Sequence, residues 1–266
     1  MRIPPFVSLC LLAAMLGSEA DAWAHGPSKE GANGCEDTFA QRLAHQAGFT
    51  TLDASGGHLV IARDCKAWPG QGSRAIAAFA YDGRIASQKQ LAIAVLEGAG
   101  RELVASYAGN IPEDSASEVG SSSLTLDTAR YQLAKDMRAF GVRLNTFRDR
   151  CTYEGGSTDA LTLYVVEGRT IRPVFSADMW HWQFGPGNRC GGESEVERID
   201  VKVRVSVAPS ASNGFADLRL TAVRSDMKVP LVSRIVRYDG DRYDLRPWHV
   251  ALEAAVAAGN KERSWP

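Results

Sequence analysis

The sequence predicts a mainly β protein of antiparallel hairpins in packed sheets, with a short helix near each end, and three observations carry that reading. Leu161, Leu163 and Val165 alternate with Thr162 and Tyr164, and Ile171, Pro173 and Phe175 repeat the pattern, the period of a strand with one face buried. A second hairpin signature, L-x-I-x-V-x-E-G at 91–98, matches L-x-L-x-V-x-E-G at 161–168. A third joins Val232, Val236 and Tyr238 to a second arm of Tyr243 and Leu245 through a two-residue Asp239-Gly240 turn, so the hairpin glycines Gly98, Gly168 and Gly240 are almost evenly spaced. Even spacing also fits repeated units with propeller-like packing, the alternative architecture. The intervening segments do not align, which favours one sandwich-like domain.

The beginning of the chain is set apart from this domain. Arg2, the apolar run Ile3 to Leu16 and the small-residue end Ala22-Trp23-Ala24 form the pattern of a secretory signal peptide over residues 1–24. Cys10 lies at the front of that run, not at its end where a lipid-modified cysteine would sit. No later stretch reaches the roughly 20 apolar residues of a membrane helix, so no span is expected after cleavage. Cleavage removes Arg2, Glu19 and Asp21, leaving 29 basic (30 − 1) and 29 acidic (31 − 2) residues. A neutral chain lacks the concentrated positive surface that nucleic acid attracts. An exported chain with Cys35, Cys65, Cys151 and Cys190 calls for disulfides, and we expect Cys35–Cys65 and Cys151–Cys190 among three connectivities.

The elements follow in order. Residues 25–34 form a polar leader to a β domain over 35–259. Phe39, Leu43 and Ala47 recur at helical spacing within 36–46, and Gly48 follows as a stop. Residues 58–62 and 74–81 read as the first strands, before the hairpin of Leu91, Ile93 and Val95 with Leu103, Ala105 and Tyr107. Residues 110–123 and 185–195 read as surface loops; 123–126, 138–146, 195–207 and 216–223 read as strands. Val201, Val203, Val205 and Val207 alternate with Lys202 and Arg204, a half-exposed strand. All six apolar positions of the 161–175 hairpin are odd-numbered, which calls for an odd loop, Val166-Glu167-Gly168. The alanine-rich residues 249–258 predict a C-terminal helix ending at Gly259, with 260–266 as a flexible tail.

For chemistry, Trp180-His181-Trp182-Gln183-Phe184 stands apart. On a strand Trp180, Trp182 and Phe184 share a face, and such a platform can stack on a sugar ring or a partner's side chain; the same face could equally be core. His181 points away without a companion at ligand spacing. Asp239-Gly240-Asp241 with Asp244 has the alternate oxygens of a calcium loop, but turn chemistry already accounts for Asp-Gly between two alternating arms. Gly70-Gln71-Gly72-Ser73-Arg74-Ala75 matches G-x-G-x-x-A without a helix to follow and reads as a loop. Glu193, Glu195 and Glu197 read as a solvated acidic edge. No G-x-S-x-G, H-E-x-x-H or P-loop motif occurs, and no cofactor or metal is expected.

The runs Leu124-Thr125-Leu126-Asp127-Thr128-Ala129-Arg130-Tyr131, Arg138-Ala139-Phe140-Gly141-Val142-Arg143 and Leu161 to Val174 resemble a group of uncharacterised exported proteins of Gram-negative bacteria. That resemblance covers the middle third and implies a periplasmic or secreted β protein, with no activity attached. The expected function is therefore a non-enzymatic domain that binds an envelope protein or a glycan. Competing readings are an extracytoplasmic hydrolase of cell-wall carbohydrate or peptide, with carboxylates gathered only by folding, and an inhibitor or immunity-type partner.

Overall fold

A computed structural model of the chain describes residues 35–49, 58–83, 85, 87–98, 101–148, 153–185, 196 and 198–261. The order is α1 (Asp37–Gln46), β1 (Val60–Ala67), β2 (Ala75–Tyr81), β3 (Gln88–Glu97), β4 (Glu102–Pro112), β5 (Leu124–Ala134), β6 (Met137–Leu144), β7 (Gly155–Glu167), β8 (Thr170–Phe184), β9 (Arg198–Ser212), β10 (Phe215–Arg224), β11 (Val232–Val236) and α2 (Arg246–Lys261). The fold is mainly β and largely antiparallel, as expected. Strands β1 to β4 form one meander and β5 to β11 a second. A single parallel bridge, Ser106 to Thr170, joins them into one unclosed sheet. That continuity replaces the alternative of separate propeller-like units.

The sheet folds so that β6, β7 and β8 form a middle layer with a core on each side. Phe140, Val142, Tyr164 and Ile171 pack toward β1–β4 in the first core. Leu161, Leu163, Val165 and Phe175 pack toward β9–β11 and α2 in the second, which Trp248 and Leu252 of α2 also enter. Strands β2 and β3 are buried on both faces. Ile76, Ile93 and Val95 meet the first core, while Ala77, Phe79, Ala92 and Ala94 meet Phe39 and Leu43 of α1. Burial on both sides explains their nearly continuous apolar runs. Cys35 and Cys65 form the expected disulfide and fasten α1 to β1, closing a 30-residue separation that stabilises by about 3–4 kcal/mol in the loop-entropy account.

Bulges decide which core a residue reaches. The β7–β8 turn is two residues, since Glu167 pairs with Thr170, not the three-residue loop parity required. A register shift against Leu163 and Tyr164 sets Val174 as an extra residue, and beyond it Leu163 pairs with Phe175, odd with odd. The shift thus sends Ile171 and Phe175, both odd, into opposite cores. The third hairpin is also corrected. Tyr238 pairs with Tyr243 in an isolated bridge across a four-residue loop, and the chain then enters α2 instead of a further strand. Helix α2 runs past Gly259 to Lys261, trimming the expected tail. Asn213-Gly214, with φ of 48° and 90°, turns β9 into β10, the left-handed pair that a tight hairpin needs. Cys151 and Cys190, residues 1–34 and Glu193, Glu195 and Glu197 lie outside the described residues.

Candidate functional site

The period of β8 places Ser176, Asp178, Trp180, Trp182 and Phe184 on one face, and the second half of the strand extends past the first core. Its partners there are Thr158 and Gly156 of β7 and Lys202, Asp200 and Arg198 of β9, opposite Trp180, Trp182 and Phe184 in turn. The three rings do share a face, with Trp182 and Phe184 centroids 5.4 Å apart. They are not equally open. Trp182 is 5% exposed, with Phe147 packed on it at 4.7 Å, and Gly156 beneath leaves room only for hydrogen, since a Cβ there would lie 2.8 Å from the indole. The platform reading is therefore corrected at Trp182, which is a packing residue, and the surface offers the half-buried Trp180 and Phe184.

Arg198 binds those two rings together. Its guanidinium carbon lies 4.9 Å from the centroid of Trp180 and 6.0 Å from that of Phe184, within cation–π range. Asp200 fixes the arrangement: its Oδ1 accepts from Trp180 Nε1 at 2.7 Å, Arg198 Nε at 2.9 Å and Arg198 Nη2 at 2.8 Å. A guanidinium tethered by one carboxylate and two rings is preorganised, because little side-chain freedom remains to be lost on binding. The same Arg198 lies over Trp180, so the ledge presents ring edges and N–H donors in place of bare ring faces. Sequence reasoning identified the rings and missed Arg198 and Asp200, although the R-x-D spacing directly across the hairpin was available as a signal.

The other face of this hairpin turns toward α2. His181, Gln183, Ile199, Val201, Leu231 and Ala255 line an apolar cavity of about 70 Å³ between the sheet and α2. Burial pushes the His181 imidazole below its ordinary range, against the opposing pull of Asp178. Its Nε2 is buried and has no hydrogen-bond partner among the described residues.

Elsewhere, charged groups converge but are engaged with one another. Arg143 donates to Asp127 at 3.0 Å and to Asp159 at 2.7 Å, and Tyr131 donates to Asp127 at 3.1 Å. This network caps one end of the second core, and burial pushes the Asp159 carboxyl up despite Arg143 beside it. A cleft of about 740 Å³ runs past Arg172, Asp239, Asp241, Asp244 and His249. There Asp239 Oδ1 accepts from the backbone N–H groups of Asp241 and Arg242, both at 2.8 Å, the turn chemistry expected of Asp-Gly. Arg246 holds Asp244 down to about 2. Among the described residues no group of three His, Cys, Asp or Glu side chains is arranged for a metal ion. Gly70 and Gly72, both at positive φ, form the β1–β2 turn, consistent with a loop.

No protein-family model, curated protein or solved structure matches this chain. Its function is therefore argued from the site.

Proposed function

We propose that the chain is an exported binding domain that engages a glycan of the cell envelope through the outer face of β8 and β9. The observation that carries this reading is the ledge of Trp180 and Phe184 with Arg198 fixed between them by Asp200. Guanidinium N–H groups donate to carbohydrate hydroxyl oxygens and aromatic rings pack against sugar C–H bonds, and here both kinds of group are held before a ligand arrives. Export is supported by the leader pattern and by the Cys35–Cys65 bridge, since disulfides persist outside the reducing cytosol. No helix among the described residues is long and apolar enough to cross a membrane.

The test is retention of the protein on envelope polysaccharide, comparing wild type with Trp180→Ala and Arg198→Ala. Each variant is expected to weaken retention roughly tenfold, the scale of losing one well-placed aromatic or guanidinium contact. Unchanged retention by both variants, with the fold intact, contradicts the assignment of this face.

A further inference from the structure

Taking this face as the binding surface, we infer that its ligand is an acidic glycan, a carbohydrate chain bearing carboxylate or phosphate groups. The inference comes from the row of cations that continues the ledge. Lys202 stands directly opposite Trp180 on β9, Arg204 follows two residues on, and Arg219 of β10 lies diagonal to Arg204, since it pairs with the adjacent outward residue Ser206. Residues two apart on a strand, or diagonal across a pair, are roughly 7 Å apart, so the three charges form an evenly stepped row. All three are exposed, and none makes an ion pair among the described residues.

The local charge balance departs sharply from that of the whole chain. Residues 198–237 hold eight basic side chains against three acidic ones, within a chain of net charge −1. Each of those three carboxylates already has a partner. Asp200 is bound by Arg198 and Trp180, Asp217 is 3% exposed and accepts from Ser210, and Asp226 is bound by Arg224. The uncompensated charges that these strands present to solvent on this face are Lys202, Arg204 and Arg219; the Arg198 charge is balanced by Asp200, and the half-buried Asp178 of β8 on the same face accepts from Ser157. A surface of this kind draws in anions and holds them in a salt-dependent manner.

Two features separate a glycan from other polyanions. A single-stranded nucleic acid would stack its bases on open aromatic faces, yet Trp180 lies under Arg198 and Trp182 under Phe147. An anionic membrane would need protruding apolar residues beside the charges. Of the large exposed hydrophobics among the described residues only Ile235, opposite Arg219, belongs to this face.

The experiment uses the full chain expressed with its own leader and measures binding to polygalacturonate, phosphorylated dextran, unmodified dextran, a single-stranded oligonucleotide and phosphatidylglycerol vesicles. The expected result is tighter binding to polygalacturonate or phosphorylated dextran than to dextran, weakening as salt rises. Lys202→Glu, Arg204→Glu and Arg219→Glu should each lower the acidic-glycan affinity roughly two- to fivefold, and the triple variant by more than about tenfold, with thermal unfolding unchanged. The carboxylate and phosphate arms identify which anion the row prefers. Equal binding to dextran, insensitive to the three reversals, overturns the acidic-ligand inference while leaving a glycan site in place. Tighter capture of the oligonucleotide or the vesicles overturns the glycan assignment. Binding to none of the probes rejects both the inference and the reading beneath it.

Discussion

The two faces of β9 and β10 are built from alternate residues of the same strands, yet they meet opposite surroundings. Inward, Val201, Val203, Leu218, Leu220 and Ala222 are at most 6% exposed and fill the second core. Outward, Lys202, Arg204 and Arg219 touch solvent and share the surface with the Trp180 ledge. Apolar burial stabilises the fold at about 25 cal/mol per Å², whereas isolated surface charges contribute little to stability. Inward substitutions should therefore be read in unfolding curves and outward ones in binding. The lesson extends to β8, where parity alone misassigns Trp182: it lies on the outward side and is buried like an inward residue.

The largest effect tests that exception. Trp182→Ala should destabilise the protein by about 3–5 kcal/mol in urea unfolding, the range for truncating a buried aromatic. A loss near zero would return Trp182 to the surface ledge. Leu220→Ala should cost about 2–5 kcal/mol while leaving glycan affinity of the folded fraction unchanged, sharpening the inward side of the comparison. Gly156→Ala drives a methyl group against the Trp182 indole and should cost about 1–3 kcal/mol. A shift in tryptophan emission should accompany it, reporting the displaced ring.

The smallest effect is a pH dependence from His181 on the inward side. Its folded pKa lies below the unfolded value of about 6.5, so the unfolded chain takes up the proton first. The stability contributed by the neutral ring is fully present above about pH 6.5 and is lost as pH falls from there toward the folded value. Thermal unfolding should shift to lower temperature over that window, and His181→Gln should flatten the shift. An identical slope in the variant would place the titration elsewhere.

Much of this architecture was legible from residue parity. Leu91, Ile93 and Val95, and Leu161, Leu163 and Val165, are strands whose apolar side chains are buried, and α1 falls where Phe39 and Leu43 placed it. The remainder depended on features without a period. The alternation assigns no role to Ala92 and Ala94, yet both are fully buried in the cluster with Phe39 and Leu43 of α1. The extra residue Val174 flips parity, which a fixed alternation cannot register. Phe147 reaches Trp182 across 35 residues of chain, a contact no local pattern announces. The charge of 198–237 was present in the sequence, but the neutrality of the whole chain concealed it.

The most direct test of this division of labour is one titration of polygalacturonate into wild type and the Arg204→Glu/Arg219→Glu double variant, with thermal unfolding of the same samples. Coincident unfolding curves with binding weakened by roughly tenfold would match two faces with separate roles. Equal binding in both proteins, or a large fall in unfolding temperature for the double variant, would contradict it.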